Sequence, residues 1–253
     1  MERFFGDRGA LSHSLDGYER RAEQEEMARA ILTALTQGGA LLAEAGTGVG
    51  KTLAYLIPAA LSGQKVVIST GTKTLQEQII RKDIPVVESL FPGRLRVAMM
   101  KGRNNYLCKR RLRAFAQRPL FNDREEGALF NGILSWADGT ETGDRSELTT
   151  LPDDYSAWGE INSRSELCLG SACKFYEGCH VTKMRQKAAG ADLIVVNHHL
   201  FFADLAMRED SYGEVIPRYD AVIFDEAHLV EDVAASYFGS TLSSYRVTEA
   251  LRD

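Results

Sequence analysis

Short apolar runs alternate with amphipathic helical segments along much of this chain, and this alternation restricts the possible folds more than any other feature of the sequence. The runs predicted as strands are residues 40–44, 66–70, 96–100, 193–197 and 221–225. The segments predicted as helices are residues 18–37, 50–61, 73–90 and 227–238. Strands that are apolar on both faces and separated by helices favour a parallel sheet with helices on both sides. The sequence therefore predicts a doubly wound α/β fold.

The interval 101–190 interrupts this alternation and is predicted as an inserted, mainly helical domain. It contains no clear strand and all four cysteines of the chain, and it is far longer than an ordinary connection between strands. The flanking segments, 1–100 and 191–253, then form one discontinuous domain. Within the insertion, residues 138–160 are rich in Gly, Thr, Ser, Asp and Pro, which predicts a mobile loop.

Composition and charge exclude several classes of protein. With 44% hydrophobic and 26% charged residues, the 253-residue chain is neither disordered nor fibrous. Its longest uncharged apolar run, residues 53–61, is too short to span a membrane. Charged side chains at Glu2, Arg3, Asp7 and Arg8 interrupt any signal sequence. We therefore expect a cytoplasmic protein with reduced cysteines and no membrane partner. The net charge of −5 gives no global sign of a nucleic-acid partner, which must be sought locally.

Residues 45–52, with the sequence Ala-Gly-Thr-Gly-Val-Gly-Lys-Thr, lie between a predicted strand and a predicted helix. Backbone N–H groups of a glycine-rich loop at a helix N-terminus bind phosphate. In such a loop, Lys51 neutralises the β and γ phosphates of a nucleotide and Thr52 holds Mg²⁺. The first position of the usual phosphate-loop pattern is Ala45 rather than Gly, whereas the helicase variant A-x-x-G-x-G-K-T matches throughout. The predicted Mg-ATP contacts are Gly46, Thr47, Gly48, Val49, Gly50, Lys51 and Thr52.

A second chemical motif, Asp225-Glu226-Ala227-His228, follows the apolar run 221–224. Ligands bind at the carboxyl edge of a parallel sheet, so this turn should lie beside the phosphate loop. Asp225 would then orient Mg²⁺ and Glu226 would activate the attacking water. His228 would report the state of the γ phosphate to the rest of the molecule.

The four cysteines are distributed like the ligands of a metal site. Cys168, Cys173 and Cys179 lie close together in the sequence and Cys108 is remote. Their spacing differs from the paired C-x2-C loops typical of zinc, and four thiolates also suit a [4Fe–4S] cluster. Spacing alone favours zinc and iron–sulfur equally, with buried free thiols as a further alternative. His180 keeps open a zinc site of three thiolates and one imidazole.

Two segments are candidates for nucleic-acid binding. Residues 101–118 hold seven basic side chains and no acidic one, with aromatic residues interleaved; this is typical of a surface that tracks phosphates and stacks bases, or of a solvated helix face. Residues 69–78 follow a strand and supply hydroxyl and N–H groups that bind a phosphate backbone or cap a helix. The candidate DNA contacts are Thr70, Thr72, Lys73, Gln78, Lys109, Arg110, Arg111 and Arg113. Gln24, on the helix before the phosphate loop, either reads an adenine edge or is a polar surface residue.

At these motifs the sequence resembles the DinG-type branch of the XPD-like, iron–sulfur DNA helicases of superfamily two. The resemblance covers nearly the whole chain and rests on residues 44–52, 101–108, 196–205 and 225–228. It implies a RecA-like motor domain of the P-loop NTPase class with an inserted iron–sulfur cluster domain. By the same resemblance Gln24 matches the glutamine that reads adenine, and residues 69–78 match a motif that grips single-stranded DNA. The four cysteines match the ligands of a [4Fe–4S] cluster, which lowers the weight of zinc.

The family couples ATP hydrolysis to 5′ to 3′ translocation on single-stranded DNA and to unwinding of duplex DNA. The resemblance therefore implies single-stranded and forked or duplex DNA as substrates, in DNA repair and replication in the bacterial cytoplasm. We also expect a monomer and a replication or repair protein as a further partner. Members of the family continue into a second RecA-like domain that carries an arginine finger, whereas this sequence ends at Asp253. We therefore expect the first motor domain and the cluster domain, with weak hydrolysis and no unwinding by these residues alone. The alternative hypothesis is a nucleotide-binding switch or scaffold with a structural zinc site.

Overall fold

The structure is a computed structural model that describes residues 1–46, 48–121, 123–209 and 213–240. The chain divides into two compact units. Unit 1 comprises Met1–Met99 and Ala191–Asp253, and unit 2 comprises Met100–Gly190. Of the helices that the structure describes, none is both long and apolar enough to cross a membrane.

The helices and strands are, in chain order, α1 (Glu2–Phe5), α2 (Ala10–Ser14), α3 (Ala22–Gln37), α4 (Lys51–Leu61), β1 (Val66–Thr70), α5 (Lys73–Gln78), α6 (Ile84–Leu90), β2 (Val97–Met99), α7 (Lys109–Gln117), α8 (Arg124–Gly139), α9 (Trp158–Ile161), α10 (His180–Ala189), β3 (Leu193–Asn197), α11 (His198–Glu209), β4 (Ala221–Phe224) and α12 (Val230–Phe238). A π-helical turn, Ile79–Asp83, joins α5 to α6. Short 3-10 turns lie at Arg103–Asn105, Arg145–Glu147, Gly170–Ala172 and Ala227–Leu229.

Unit 1 is built on a four-stranded, all-parallel sheet with the strand order β2-β3-β1-β4. Val66 of β1 lies opposite Leu193 of β3 and Ala221 of β4, so the carboxyl ends of these strands meet at one edge. β1 is buried along its whole length, as expected for a central strand covered on both faces. The prediction of a parallel α/β sheet flanked by helices is confirmed. The predicted strands 66–70 and 193–197 match the observed strands to the residue.

The core of unit 1 is mainly aliphatic and forms where helices pack on this sheet. Ile31 of α3, Leu56 and Ile57 of α4 and Val87 of α6 are buried with Ile68 of β1 in one cluster. The apolar residues of α4 occur on nearly all sides of the helix, which explains why this helix is buried along most of its length. α4 is therefore held rigidly behind the loop that precedes it.

The predicted strand at residues 40–44 is wrong. These residues form neither helix nor strand and are exposed; the side chain of Leu42 is 92% exposed. Ala and Leu have no strong preference for strands, and the run shows no alternating pattern that would select a register. Gly38 and Gly39, with φ of +80° and +110°, set the direction in which the chain leaves α3. The segment that precedes the phosphate loop therefore forms no strand in the described structure.

Unit 2 is helical, with a small core that contains several aromatic residues. Leu107, Phe130, Ile133, Trp158 and Ile161 are buried in one cluster. Isolated antiparallel bridges, Tyr106 to Asp144 and Leu107 to Asn162, take the place of a sheet among the described residues of this unit.

Residues 138–160, predicted as a mobile loop, are largely irregular in backbone but are packed on the rest of unit 2 in both halves of the segment. Trp158 is buried in the core of unit 2, and its Nε1 donates to the carbonyl of Asn104 at 2.9 Å. Glu147 accepts hydrogen bonds from Trp136 Nε1 at 2.7 Å and from the hydroxyl of Thr140 at 2.6 Å. Gly, Ser and Asp indicated irregular backbone correctly, but the aromatic side chains among them fix that backbone to the core.

Buried charged side chains supplement the core of unit 2. Lys101 Nζ lies 2.7 Å from Asp144 Oδ2, and both side chains are almost fully buried. Arg111 is also buried and donates to the carbonyl of Asn162 at 2.7 Å and to that of Gly159 at 2.9 Å. Buried charges are tolerated only when such partners satisfy them, so the fold of unit 2 depends on these contacts.

Candidate nucleotide site and cysteine cavity

The phosphate loop leads directly into α4 in unit 1. Gly48 and Gly50 both have φ of +83°, a conformation that favours glycine over residues with a side chain. Lys51 is the first residue of α4, and its Nζ donates back to the carbonyl of Ala45 at 3.3 Å. The lysine therefore curls over the loop where a phosphate group would lie. Gly46, Val49 and Thr52 flank it, and Thr47 lies outside the described residues.

Two residues at the start of α3 brace the loop. Gln24 is buried, and its Nε2 donates to the carbonyl of Gly50 at 2.9 Å. A Cβ atom on Gly50 would lie 2.2 Å from that nitrogen, so a side chain there would displace the Gln24 amide, and the positive φ of Gly50 itself favours glycine. Arg21 donates to the carbonyl of Gly48. Gln24 is thus positioned against the loop, and its contact with adenine stays a prediction.

Asp225 lies at the carboxyl edge of the same sheet. Its backbone N–H donates to the carbonyl of Ser69 at 2.8 Å, and its Oδ2 accepts from Thr70 Oγ1 at 3.3 Å. Burial and the charge of Glu226 raise the pKa of Asp225, whereas the Thr70 hydroxyl and the charge of Lys51 lower it. The pKa of Asp225 is raised overall, and the charge of Lys51 reaches the acidic turn, defined here as Asp225–Leu229.

Glu226 has a strained backbone. Its φ of +55° makes it the one non-glycine residue with positive φ in the part of the chain that the structure describes, and such strain is concentrated at functional sites. His228 Nδ1 lies 3.4 Å from Glu226 Oε2, and the His228 side chain is 68% exposed. Beneath the turn, a Cβ atom on Gly71 would lie 2.5 Å from Leu229 Cδ1. The acidic turn is therefore packed directly against the turn that follows β1.

Sequence reasoning missed Asp83 as a member of this site. The pKa of Asp83 is raised to about 6, mainly by burial and also by the charge of Asp225, against the lowering effect of the Lys82 charge. Oδ2 of Asp83 is buried without a hydrogen-bond partner among the residues described. A signal was present in the sequence: Asp83 falls midway between the buried Ile79 and Val87 at four-residue spacing, on the apolar stripe of its helix. The π-helical turn that contains it is a further sign, since such turns are frequent at functional sites.

His198 joins two strands at this edge of the sheet. It is fully buried, and its Nδ1 shares a 2.7 Å hydrogen bond with Ser69 Oγ. Burial lowers the pKa of His198, which favours the neutral imidazole. The hydrogen bond fixes the start of α11 to the end of β1.

The predicted DNA contacts after β1 divide into exposed and buried residues. Thr72, Lys73 and Gln78 are exposed at α5, and Thr72 also caps this helix by accepting from the N–H of Leu75 at 3.2 Å. Thr70 is buried and bonded to Asp225. The structure therefore groups Thr70 with the nucleotide site and leaves the other three accessible to a strand of nucleic acid.

The predicted basic surface of α7 requires a similar correction. Arg111 is buried and holds the carbonyls of unit 2 described above, because it lies on the face of α7 that packs on α9. Lys109 and Arg110 line a cavity rather than a continuous outer surface. Arg113 is exposed. Among these four basic residues, Arg113 is the one that is exposed and that neither lines the cavity nor holds a backbone carbonyl in the described structure.

All four cysteines line one cavity of about 360 Å³ in unit 2. Cys108 reaches it from the start of α7, while Cys168, Cys173 and Cys179 lie on the segment that leads to α10. His180 does not line the cavity; its ring packs on Gly143, and its Nδ1 lies 3.3 Å from the carbonyl of Glu141. No three Cys, His, Asp or Glu side chains within the described ranges are grouped closely enough to hold one metal ion. The four cysteines therefore surround one cavity, but their side chains do not converge on the position of a single metal ion.

Comparison with known proteins agrees with the nucleotide-site geometry. Residues 21–114 match the family model described as DEAD/DEAH box helicase. The chain is 43% identical over 251 residues to the ATP-dependent DNA helicase YoaA of Escherichia coli, and 42% identical over 249 residues to the ATP-dependent DNA helicase YoaA of Haemophilus influenzae. Each alignment covers 98% of this chain and 39% of the relative. The ATP-dependent helicase DinG of Mycobacterium tuberculosis is 35% identical over 265 residues, covering 96% of this chain and 39% of the relative.

The chain thus spans 39% of the length of these curated relatives. The matched family region includes α3, the phosphate loop and the turn after β1. Residues 21–114 thus contain a DEAD/DEAH box helicase match, and the chain over almost its whole length is similar to the YoaA and DinG helicases.

Proposed function

We propose that this chain is the nucleotide-binding motor portion of an ATP-dependent DNA helicase of the DinG type. The observation that carries the proposal is the geometry of two motifs in unit 1: Lys51 bends back over the phosphate loop to the carbonyl of Ala45 at 3.3 Å, and Asp225 follows β4 and accepts from Thr70 Oγ1 at 3.3 Å. The charge of Lys51 also acts on Asp225, whose pKa is raised overall by burial. A phosphate-binding cation and a magnesium-binding carboxylate must be adjacent for hydrolysis of a nucleoside triphosphate. The names of the relatives support ATP and DNA as the substrates.

Each residue of the site has a defined task in this proposal. Lys51 binds the β and γ phosphates, and the N–H groups of the loop bind the remaining oxygens. Thr52 and Asp225 would hold Mg²⁺, which neutralises phosphate charge when it is bound. Glu226 accepts the proton of the attacking water, and its left-handed backbone directs its side chain independently of β4. His228 is close enough to Glu226 to respond to its charge.

The coupling between nucleotide and DNA follows from the turn after β1. Thr70 is bonded to Asp225, and the exposed Thr72 and Lys73 follow two and three residues later. Gly71 is packed on Leu229 of the acidic turn. A shift of Asp225 or Glu226 on hydrolysis would therefore move the residues proposed to hold single-stranded DNA. We propose 5′ to 3′ movement on that strand by a cytoplasmic monomer that acts on forked or duplex DNA in repair and replication, with a protein partner from those processes.

We further propose that the cysteine cavity holds a [4Fe–4S] cluster. All four thiols line it, and no carboxylate is among the lining residues that the structure describes. The N–H of Gly170 and the charge of Arg103 lower the pKa of Cys168 against the effect of burial, which favours the thiolate that a cluster requires. When bound, the cluster would join Cys108 to the 168–179 segment and could exchange one electron. Its iron–sulfur core suits a cavity whose thiols do not converge on one point.

Binding and hydrolysis by the 253-residue chain test the motor proposal. We expect Mg-ATP binding, binding of single-stranded DNA at low salt, and slow hydrolysis that this DNA accelerates. Glu226→Gln should retain Mg-ATP binding and lose the accelerated hydrolysis, because it removes the proton acceptor and little else. Nucleotide binding that is indifferent to DNA, with no DNA binding, would instead support the nucleotide-dependent switch.

Chemical analysis tests the cluster separately. Protein purified anaerobically should contain iron and acid-labile sulfide at about four each per chain, as a cubane cluster requires. Cys173→Ser should lose most of this iron and loosen unit 2. One zinc per chain and no sulfide would support the structural-zinc alternative.

A further inference from the structure

Two arginine side chains in the cysteine cavity have buried N–H groups without hydrogen-bond partners. These groups are Nε of Arg103 and Nε of Arg185, and neither has an acceptor among the described residues. Leaving a buried charged donor unsatisfied is costly, so each such group in a folded protein calls for an explanation. Both residues line the same cavity as the four cysteines.

Arg185 is directed toward the cavity by its helix. Val181, Thr182, Arg185 and Gln186 form the stripe of α10 that lines the cavity, as residues at this spacing share one helix face. Arg185 makes no hydrogen bond and no ion pair with any residue that the structure describes. Arg103 reaches the cavity from its 3-10 turn, and its Nη2 lies 3.6 Å from Cys168 Sγ.

The charges around the cavity require an anion. Six of its lining residues are basic, and among the described lining residues none is acidic. Burial and the charge of Arg103 lower the pKa of Arg185, while the charges of Cys168 and Cys179 raise it. Two guanidinium groups that repel each other across a cavity are stabilised by a negative group between them. A cluster ligated by four thiolates is such a group, and its sulfurs are hydrogen-bond acceptors.

We infer that Arg103 and Arg185 donate hydrogen bonds to the sulfurs of the bound cluster and raise its reduction potential. The inference rests on the cluster proposed above. Hydrogen bonds to cluster sulfurs and nearby positive charge are among the factors that set these potentials. When the cluster takes up one electron from an external reductant, its negative charge increases, and the two arginines stabilise that reduced form more than the oxidised one.

Arg185 provides the sharper test because its side chain has no other partner. Arg185→Gln removes the charge and the guanidinium donors, whereas Arg185→Lys retains the charge and removes the Nε–H donor. Lys187→Gln is the matched control, since Lys187 is exposed on the same helix and does not line the cavity. Each variant is made in the 253-residue chain and purified anaerobically, and its iron and sulfide are measured first.

The decisive measurement is a reductive titration with dithionite and redox mediators, followed by electron paramagnetic resonance of the reduced cluster. For Arg185→Gln we expect the equilibrium for uptake of one electron to weaken at least tenfold, which is about 59 mV toward negative potential. Arg185→Lys should shift less in the same direction, and Lys187→Gln should match the wild type. An Arg185→Gln protein with wild-type iron content and wild-type potential would overturn the inference.

Two outcomes distinguish a failure of this inference from a failure of the cluster proposal on which it rests. A wild-type chain without iron and sulfide would refute the cluster itself, and the inference with it. If Arg185→Gln does not retain its cluster, the reduction potential of the Arg185→Lys protein tests the inference instead. A potential below that of the wild type supports the donor role, and an unchanged potential overturns it.

Discussion

The two units of this chain are stabilised in different ways. Unit 1 buries the aliphatic residues of a parallel sheet between helices, and its central strand β1 is inaccessible along its whole length. Unit 2 has isolated bridges among its described residues, a smaller core, and an ion pair, Lys101–Asp144, of which both members are buried. The buried carboxylates of unit 1, Glu25 and Asp204, pair instead with partly exposed arginines. Stabilisation by apolar burial is distributed over many residues. Removal of one member of a buried ion pair, by contrast, leaves an unpaired buried charge and strongly destabilises the fold. Unit 1 should therefore tolerate single substitutions better than unit 2.

The largest expected effect comes from Lys101→Met. Asp144 would remain buried without its partner 2.7 Å away, which typically costs about 3–5 kcal/mol. Trp136 and Trp158 are the two tryptophans of the chain and both lie in unit 2, so tryptophan fluorescence reports the unfolding of this unit. We expect its urea midpoint to fall sharply, while amide hydrogen exchange in β1 and β3 stays unchanged.

Two further variants sharpen this test. Lys187→Met changes an exposed lysine of unit 2 and should leave the midpoint in place. Lys101→Met combined with Asp144→Leu should recover much of the lost stability, because no unpaired charge remains buried. Faster exchange in β1 to the same extent as in unit 2 would show that the two units unfold together and would contradict the comparison.

The second-largest expected effect is a loss of Mg-ATP affinity in unit 1, caused by Lys51→Ala. Loss of a charged hydrogen bond to phosphate is worth about 1.5–3 kcal/mol, so Mg-ATP affinity should fall by roughly 10- to 150-fold. Fluorescence of a labelled ATP analogue measures it. Arg94→Ala, at an exposed position of the same unit, should keep wild-type affinity. Equal losses in both variants would show that general charge and not the loop position attracts the nucleotide.

The sheet could largely be predicted from the sequence, because β1 and β3 are buried on both faces and consist mainly of β-branched residues. Residues 40–44 could not, since a run of Ala and Leu does not specify a partner strand. The phosphate loop and the acidic turn were both recognisable from their own residues. The burial of Asp83 was signalled by its place on an apolar helix stripe, but its proximity to Asp225 was not, because that depends on tertiary packing.

Unit 2 was less predictable, because the roles of its residues also depend on tertiary packing and not on the local sequence pattern. A row of basic residues indicated one charged surface, yet Arg111 is turned inward to carbonyl groups and Arg113 outward. Spacing suggested that Cys108 joins the later cysteines, but the contacts that support this grouping are long-range. One is the bridge from Leu107 to Asn162, and another is the hydrogen bond from Arg110 to the carbonyl of Leu167.

A smaller effect, which depends on pH, is expected from Asp83→Asn in unit 1. The folded-state pKa of about 6 is raised from 3.8 by burial, so the folded protein binds more protons than the unfolded one between these values. The free energy of unfolding should therefore fall as pH rises from about 4 to about 6. Asp83→Asn removes this loss and should be more stable than the wild type above pH 6, by about 1 kcal/mol after solvent screening.

Hydrogen exchange in β1 and α6 as a function of pH measures this effect. Asp16→Asn, at an exposed position, is the control and should follow the wild-type curve. If Asp83→Asn destabilises unit 1 at pH 7, then the carboxylate is held by a favourable contact and the direction of the pKa shift is contradicted. Tryptophan fluorescence should not respond to Asp83→Asn at any pH, because both tryptophans belong to unit 2.

The smallest effect concerns DNA binding by unit 2. Arg113 is exposed on α7, whereas Arg111 on the same helix is buried. If Arg113 contacts one phosphate of single-stranded DNA, Arg113→Gln should reduce the slope of log affinity against log salt by about 0.7 and leave the tryptophan unfolding midpoint unchanged. Arg124→Gln, at an exposed position of α8, should leave both unchanged. Arg111→Gln should instead lower the midpoint, because two carbonyl groups lose their donor. An unaltered slope for Arg113→Gln would remove α7 from the DNA-binding surface and confine that surface to the turn after β1.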